Sequence, residues 1–474
     1  MNLQELTQLL GQEDDITVKL RKLRGRNTIS TETEKLTELY DIEKHDIYSK
    51  ALRPDRNVMK EDENGDMVFD RVEYVNRIAL PFQKLIVKRA VSFVFGNPVI
   101  LKCEAETDQE DQVLEAVKRI LHENKSNGFD RRIARELFKS TQVAECWFPV
   151  TKAETHDDYG FPTQFKIRVT AFNTADGNKL FPLFDETGDM IAFSREFIIE
   201  DDEDKKKTYF ETYTAQEKRT WIQDGNGWTE QPAIPNTIGK IPIVYASQEQ
   251  VEWEDVQSKI DRLEKLLSNF AETNDYHASP KIFVQGRIEG WAKKGEQGAI
   301  IQGEPGATAT YLSWDHAPES VKLEIETLLR FIFSFTQTPD ISFDSVKGLR
   351  EISGEALKML FLDAHLKVQD KREIFDDYLQ RRISILKSFV GTMNLALKPV
   401  ASKLMIEPEI QPFIINDQKA MIERLTMANG NKAIVSQRTS VALSDLVDDV
   451  DAEMKQIQAE EKQRAANDVL EPGF

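Results

Sequence analysis

The feature that most constrains the fold of this chain is one unusually long helical pattern. Apolar residues recur every three or four positions from Leu357 to Leu397, after the pair Ser353-Gly354. This spacing places them on one stripe of an α-helix. At about 1.5 Å per residue, roughly forty residues make a helix on the order of 60 Å long. A compact domain rarely contains such a rod, so the pattern predicts a protein that spans or surrounds something.

Two shorter helical patterns precede this rod, within residues 247–276 and 315–338. Between them, six glycines from Gly286 to Gly306 predict a compact β insertion, because glycine permits tight bends. A polar connection, residues 341–354, leads into the long helix. Rods that carry mixed charge and one apolar stripe favour lateral packing against copies of the same chain.

The first 246 residues combine helical and strand patterns. Residues 1–50 are predicted to be helical, 53–70 to be a polar turn, and 76–95 to be a helix that stops at a Gly-Asn-Pro sequence. Residues 111–137 predict one or two helices. Apolar and polar residues alternate repeatedly between 165 and 245, which predicts a β-rich module. The expected fold class is therefore α+β.

Composition limits the classes of protein to which the chain can belong. With 62 Lys and Arg against 81 Asp and Glu, the net charge is -19, and the pI is near 5.0. Proteins bind nucleic acids mainly by neutralising phosphates, so this charge argues against a conventional nucleic-acid binder. It is compatible with a surface that lets DNA slide past without holding it. The basic run from Lys19 to Arg26 is predicted to be a solvated helix face or a subunit contact.

Targeting and redox signals are few. No apolar run approaches the roughly 18 residues of a membrane span, and the first residues lack a basic start followed by an apolar core. We therefore expect no secretory signal, no membrane partner and synthesis in the cytoplasm. The two cysteines, Cys103 and Cys146, are expected to be reduced thiols in apolar surroundings.

No pattern in the sequence is typical of a catalytic, metal or cofactor site. The six histidines occur singly, and no pair has the spacing of a helical zinc site. The nearest approach to a phosphate loop is residues 290–296. Glu296 and the following Gln297 occupy the two places where a Walker loop needs Lys and then Ser or Thr. We predict no enzymatic activity and no cofactor.

Four stretches of the chain carry distinctive short motifs. Residues 76–99 end in a Phe-Gly-x-Pro corner, and residues 241–280 begin with Ile-Pro-Ile-Val. Residues 338–360 contain Ser-Gly-Glu-Ala-Leu-Lys at the start of the long helix, and residues 435–461 contain Ser-x-x-Thr followed by Val-x-Asp-x-x-x-Glu. Together, and in this order across nearly the whole chain, the four stretches resemble the portal proteins of tailed bacteriophages, of the SPP type.

The resemblance implies a long-helix α+β portal fold that assembles into a ring, usually of twelve subunits, at one capsid vertex of the virion. The ring would be the channel through which a terminase drives double-stranded DNA into the head, and through which the DNA later leaves. The implied regions are residues 1–246 as wing, 247–276 as first stem helix, 277–314 as clip, 315–338 as second stem helix, 339–353 as tunnel loop, 354–415 as the long helix with the segment after it, and 416–474 as crown and C-terminal tail.

The tunnel loop implied by the resemblance is polar and nearly neutral. We predict that Lys347 and Arg350 face the channel and make salt-dependent contacts with DNA phosphates, without reading bases. Pairing of both cations with Asp344 or with Glu351 is an open alternative. The full set of residues predicted to line the channel is Ser342, Asp344, Lys347, Arg350 and Ser353.

The clip implied by the resemblance contains a second set of candidate residues. Trp291, Lys293 and Lys294 combine an aromatic side chain with charge, a common anchor of protein interfaces. They are candidates to dock the terminase large subunit or the head-completion adaptor, or they pack the interface between subunits. Scaffolding and major capsid proteins are further expected partners.

Two other classes of protein stay open from the residues alone. One is a soluble cytoplasmic enzyme whose composite active site leaves no local motif; the missing nucleophile, metal and phosphate-loop patterns disfavour it. The other is a coiled-coil-rich capsid scaffolding protein, which the β-rich middle and the glycine-rich insertion disfavour.

Overall fold

The computed structural model describes residues 1–13, 15–25, 30–200, 206–225, 227–278, 281–286, 288–290, 302–303, 305–312, 317–340, 361–413, 418–430, 433–444, 446–447 and 449–468. The chain forms two compact units. The first comprises Met1–Pro339 with Asp363–Phe413, and the second comprises Asp340–Leu362 with Ile414–Phe474. Helices and antiparallel strands are both abundant, so the predicted α+β class is confirmed.

The chain begins with three helices, α1 (Leu3–Gln12), α2 (Ile16–Arg24) and α3 (Ser30–Tyr40), followed by 3-10 turns at Ile42–Lys44 and Asp46–Tyr48. A capping box between Asn2 and Glu5 starts α1. Leucines of α1 and α2 pack with Phe210 and Trp221 in one apolar cluster. The predicted helical N-terminus is thus present, and its apolar face is buried.

The interpretation of the basic run as a solvated face is wrong for two of its members. Lys19 is 4% exposed, and its amine donates to the carbonyl oxygen of Leu10 and to Glu230. Arg24 donates to a carboxylate oxygen of Glu196 at 2.7 Å. The cause is the leucine stripe, which docks α2 on the sheet and brings its basic side chains against acidic partners there.

Residues 53–70 were expected to be a polar turn, and this expectation is wrong. The chain forms a hairpin of β1 (Arg56–Glu61) and β2 (Met67–Glu73). Its turn depends on Gly65, with φ of +87°, and on Asp62, whose side chain accepts the backbone N–H groups of Asn64 and Asp66. The polar residues therefore occupy the tip of a hairpin whose strands extend on both sides.

The next helix, α4, spans Phe82–Phe95 and not the predicted 76–95. Its start is delayed because the N–H groups of Ile78 and Leu80 donate to Ser268 and Glu264, and because a residue before proline disfavours helical geometry. After β3 (Ile100–Lys102) come α5 (Asp108–Glu123) and α6 (Ser126–Ser140). Lys125, with φ of 54°, separates these two helices.

The β-rich module contains two antiparallel sheets. Its strands are β4 (Gln142–His156), β5 (Thr163–Asn173), β6 (Lys179–Phe184), β7 (Met190–Glu200), β8 (Lys206–Tyr213), β9 (Glu217–Asp224), β10 (Gly227–Glu230), β11 (Ile234–Pro235) and β12 (Ile243–Ser247). One sheet has the order β12-β4-β5, and the other has the order β10-β9-β8-β7-β6 with β11 beside β9. An apolar cluster that includes Ala144, Phe193 and Ile243 packs strands of the two sheets together.

The rods follow. A 3-10 turn at Glu254–Val256 leads into α7 (Gln257–Ala278), and after the insertion come α8 (Ala317–Phe335) and α9 (Leu362–Met393). The insertion contains β13 (Lys281–Gln285), β14 (Ile288–Gly290), β15 (Gln302–Gly303) and β16 (Thr308–Leu312). The long helix α9 has 32 described residues and ends at Met393, short of the predicted Leu397. Asn394, which follows, accepts the N–H of Ala396 in a turn that stops the helix.

The first unit ends with α10 (Lys398–Lys403) and β17 (Glu407–Glu409), which pairs with β3. The second unit contains α11 (Gln418–Asn429), α12 (Gln437–Leu443) and α13 (Val450–Asp468).

None of the helices in the described ranges combines the length and the apolar character needed to cross a membrane. In the same ranges, no group of three or more His, Cys, Asp or Glu is arranged to hold a metal ion.

Candidate functional site: the framework around residues 341–360

Both sets of predicted functional residues lie outside the described part of the chain. The structure does describe the elements that precede and follow residues 341–360, namely α8 with the turn after it and α9. The predicted residues that lie outside are Ser342, Asp344, Lys347, Arg350, Ser353, Trp291, Lys293 and Lys294.

The chain leaves α8 through a tight turn at residues 336–339. Gln337 adopts a left-handed conformation with φ of 50°, which stops the helix. The N–H of Thr338 donates to the carbonyl oxygen of Phe333 at 2.9 Å. The hydroxyl of Thr336 donates to the carbonyl oxygen of Ile332 at 2.7 Å, and it lies 2.9 Å from the hydroxyl of Thr338. These bonds satisfy backbone carbonyl groups in the last turn of α8. The direction in which the chain leaves the helix is therefore fixed.

Two cations hold this turn from outside. The amine of Lys367, on α9, donates to the carbonyl oxygen of Thr336 at 3.0 Å. The guanidinium of Arg89, on α4, donates to the carbonyl oxygen of Pro339 at 2.5 Å. Because Lys367 follows residues 341–360 and Thr336 precedes them, these bonds tie the two flanks of that segment to one body.

Glu252, just before α7, strengthens this arrangement. Its carboxylate lies 2.6 Å from the amines of both Lys367 and Lys371, and it is almost inaccessible to solvent. Burial alone would raise the pKa of Glu252, but the charges of the two lysines outweigh it and hold that pKa below its ordinary value. The carboxylate is therefore ionised and bridges two successive turns of α9 to the segment that starts α7.

A second buried ion pair lies further along α9. The guanidinium of Arg382 donates to Glu145 at 2.8 and 2.7 Å and to Asp130 at 2.5 Å, and all three residues are at most 3% exposed. The indole of Trp147 also donates to Glu145. Burial lowers the pKa of Arg382, but the two carboxylates outweigh it, so the pKa lies well above its ordinary value. The long helix is thus fixed to α6 and to β4.

The rod α7 has its own polar attachment. Both ring nitrogens of His45 face acceptors, Glu264 at 2.8 Å and the carbonyl oxygen of Leu39 at 3.0 Å. Glu264 also accepts the N–H of Leu80 at 2.7 Å. Despite burial, the hydrogen bond and the charge of Glu264 raise the pKa of His45 above its ordinary value, which favours an imidazolium that donates from both nitrogens. One buried carboxylate on α7 therefore connects three segments of the chain.

Sequence reasoning did not single out these framework residues. Glu252 is one of several charged residues in the segment 247–276, and nothing in the local pattern marks its carboxylate as buried. A signal for Arg382 does exist in the sequence: it follows Phe375 by seven residues and Val368 by fourteen, so it lies on the apolar stripe of α9. A charge in such a position requires a buried partner. The sequence does not show that the partners are Asp130 and Glu145.

Long helices fixed to antiparallel sheets by buried ion pairs define the chain as an α+β protein organised around rods. A model of the family described as phage portal protein, SPP1 Gp6-like, matches residues 21–467. The chain belongs to this phage portal protein family, so the resemblance is confirmed. The protein is therefore located at the portal of the virion.

Among solved structures, the chain is similar to the neck of an empty gene transfer agent particle computed with C6 symmetry. The TM-score is 0.43 at 10% identity, and the match covers 78% of this chain and 91% of that chain. The neck of the native particle with C12 symmetry matches with a TM-score of 0.39 at 10% identity, covering 77% of this chain and 89% of that chain. No curated protein matches the chain.

Proposed function

We propose that this chain forms a dodecameric ring at one capsid vertex and that the ring is the channel for packaging and ejecting double-stranded DNA. The observation that carries the proposal is the match of the portal family over residues 21–467. In this proposal the chain performs no catalytic step, and the terminase hydrolyses ATP. The ring also connects the head to adaptor and tail proteins.

The proposal gives each region a position in the ring. Helices α7 and α8 form the stem, the β insertion between them forms the clip, and the first 246 residues form the wing together with α9. The residues from 416 onward form the crown. Helices α7 and α8 run antiparallel, because Arg262 pairs with Glu324 at 2.8 Å, whereas Lys259, earlier on α7, lies over the ring of Phe335, later on α8. Antiparallel rods suit a stem of repeated helix pairs.

Residues 339–353 are proposed as the tunnel loop, with Lys347 and Arg350 contacting DNA phosphates. The bonds from Lys367 to Thr336 and from Arg89 to Pro339 support this proposal, because a loop that contacts a moving duplex needs fixed ends. Phosphate contacts of a few cations are salt-dependent and carry no sequence information, which suits a duplex that slides. The overall charge of -19 keeps such contact weak.

Electron microscopy of the purified chain tests the ring, which should appear as particles with a central hole and twelve-fold symmetry. A chain that stays monomeric under all assembly conditions contradicts the proposal.

The proposed tunnel loop is tested by combining Lys347→Ala with Arg350→Ala in an assay of DNA packaged per head. We expect reduced packaging or retention, with Lys118→Ala, an exposed lysine of α5, as the matched control. Unchanged packaging and retention would remove the DNA-contact role while leaving the ring intact.

The clip residues Trp291, Lys293 and Lys294 are proposed to dock the terminase large subunit or the head-completion adaptor. An aromatic anchor beside charge is typical of such interfaces. Trp291→Ala should weaken binding of assembled rings to one of these two proteins by about tenfold or more. If binding of both is unchanged, or if the variant no longer forms rings, the docking role is wrong.

A further inference from the structure

A cavity of about 730 Å³ opens at the surface of the first unit, where α5 ends beside β5 and the connection from β4 to β5. Its volume lies in the range of binding sites for small molecules. Lysine and arginine side chains outnumber carboxylates in its lining. In a chain whose net charge is -19, the cavity is therefore a local exception to the overall acidity.

Both carboxylates in the lining already have cationic partners. Glu123 lies 2.9 Å from the amine of Lys166 and 3.2 Å from the guanidinium of Arg168, and the hydroxyl of Tyr159 donates to it at 2.8 Å. Asp158 also pairs with Lys166. Burial alone would raise the pKa of Glu123, but its bonds with Lys166 and Tyr159 hold that pKa below the ordinary value. The bond with Lys166 lowers the pKa of Asp158.

Two other cations of the lining are not balanced in this way. Lys118 pairs with Glu115, one turn earlier on α5, at 2.8 Å. Within the described ranges, however, Arg119 donates only to a backbone carbonyl oxygen, at 2.9 Å, and the side chain of Lys125 makes neither a hydrogen bond nor an ion pair. Both residues are exposed. The cavity thus contains two cations whose charge no carboxylate of the described ranges offsets.

These two cations lie at the end of one helix. Arg119 and His122, three residues apart, are neighbours on the exposed face of α5. Lys125 follows the helix in a left-handed conformation, with φ of 54° and ψ of 48°, which costs a residue with a side chain about 1 kcal/mol or more. Asp108 and Asp111, exposed carboxylates of the same helix, precede Arg119 by at least eight residues, which is about 12 Å along the axis.

A phosphate group matches this arrangement better than a carboxylate does. At neutral pH it carries a charge of about -1.5 to -2 and has three strong acceptor oxygens, so it can balance both Arg119 and Lys125. A guanidinium binds phosphate oxygens through paired N–H groups, and an ammonium group binds them as a point charge. A metal cation is disfavoured, because Glu123 and Asp158 already bind Lys166.

We propose that this cavity binds a phosphate group between Arg119 and Lys125, beside the fixed network of Glu123, Lys166 and Tyr159. Two sources offer this chemistry, a free phosphate ion and the backbone of double-stranded DNA. Only the second source rests on the proposed function, because DNA would then contact the chain here as well as in the channel. Neither cation belongs to residues 339–353, so the site is additional to the proposed tunnel loop.

Isothermal titration calorimetry of the whole chain with inorganic phosphate tests the site, with sodium chloride at equal ionic strength as reference. We expect saturable binding that chloride does not reproduce. Arg119→Gln combined with Lys125→Gln should raise the Kd by about tenfold or more. The matched control combines Lys88→Gln with Arg131→Gln, which removes the same charge from exposed positions of α4 and α6 and should change the Kd by less than about twofold. Circular dichroism verifies that both variants are folded.

A short DNA duplex, used as a second probe, separates the two sources. If the ligand is the free ion, inorganic phosphate binds and the duplex does not. If the ligand is DNA, the duplex binds, rising salt weakens this binding, and the variant at Arg119 and Lys125 loses more affinity than the control. Binding of neither probe, or an equal loss in both variants, overturns the inference. Because these titrations need no ring, that failure leaves the proposed ring intact, whereas a chain that binds phosphate but never forms rings contradicts only the proposed function.

Discussion

Glu145 and Arg382 form a buried bidentate ion pair across 237 residues of sequence, with hydrogen bonds of 2.8 and 2.7 Å. Glu145 belongs to the central strand of a three-stranded sheet, and Arg382 belongs to the longest described helix. This pair therefore fixes the long rod to the β-rich module, together with the amine of Lys240, which donates to Ser384 of the rod. If the ring proposal holds, every subunit carries this connection between its channel helix and its wing.

Removing the arginine of this pair should be strongly destabilising. Arg382→Met leaves Asp130 and Glu145 buried without their cation, which costs about 3–5 kcal/mol. Urea unfolding followed by circular dichroism measures the loss. Arg372→Met, on the same helix, is the control, because Arg372 makes only a partly exposed pair with Asp376 and should cost less than about 1 kcal/mol. Equal unfolding midpoints for the two variants would contradict this role.

Lys367 should control the mobility of the turn after α8. Lys367→Met removes the bond to the carbonyl oxygen of Thr336 and costs about 1–3 kcal/mol. Hydrogen exchange of a peptide that covers residues 333–340 should become faster. Lys371→Met is the matched control, because Lys371 also pairs with Glu252 but does not bind the turn. If both variants change exchange there equally, Lys367 acts only through Glu252.

The pair between His45 and Glu264 predicts a pH dependence of stability. Burial lowers the pKa of His45, but the hydrogen bond and the charge of Glu264 outweigh it, so the folded pKa lies above its ordinary value of 6.5. A raised pKa contributes stability that is complete below the unfolded pKa and is lost as pH rises through the folded pKa. The difference in the free energy of unfolding between the unmodified chain and His45→Gln should therefore shrink above about pH 6.5.

Urea unfolding across this pH range checks the prediction for His45. His122→Gln changes an exposed histidine of α5 and serves as control. A difference that stays constant, or that grows with rising pH, would show that His45 is not held as an imidazolium by Glu264.

The two cysteines should differ in reactivity. Burial raises the pKa of the Cys146 thiol to about 12, and this side chain is 4% exposed, so it should react with a thiol reagent only after unfolding. Burial also raises the pKa of Cys103, which is less completely buried and should react slowly in the folded chain, faster as pH increases. Counting modified thiols by mass spectrometry before and after adding urea separates the two. Rapid modification of Cys146 in the folded protein would be inconsistent with its burial.

Much of the fold was predictable from local patterns. The helix before Gly96, the two rods around the glycine-rich insertion and the β-rich module all appear where periodicity indicates them. The errors have tertiary causes. The start of α4 moved because Glu264 and Ser268 capture backbone N–H groups upstream of it, and Lys19 is buried because the leucines of α2 dock it on a sheet.

The sequence by itself determined the α+β class, the order of the rods and the family, because periodicity and short motifs are properties of neighbouring residues. Only the tertiary structure decided which charges are buried and with which partners. Glu252 with Lys367, Arg382 with Glu145 and His45 with Glu264 join residues more than a hundred positions apart. Such pairs leave no local pattern, since each partner satisfies the other only after the chain has folded. The long helix that constrains the whole fold is thus visible in the sequence, whereas its attachment is visible only in three dimensions.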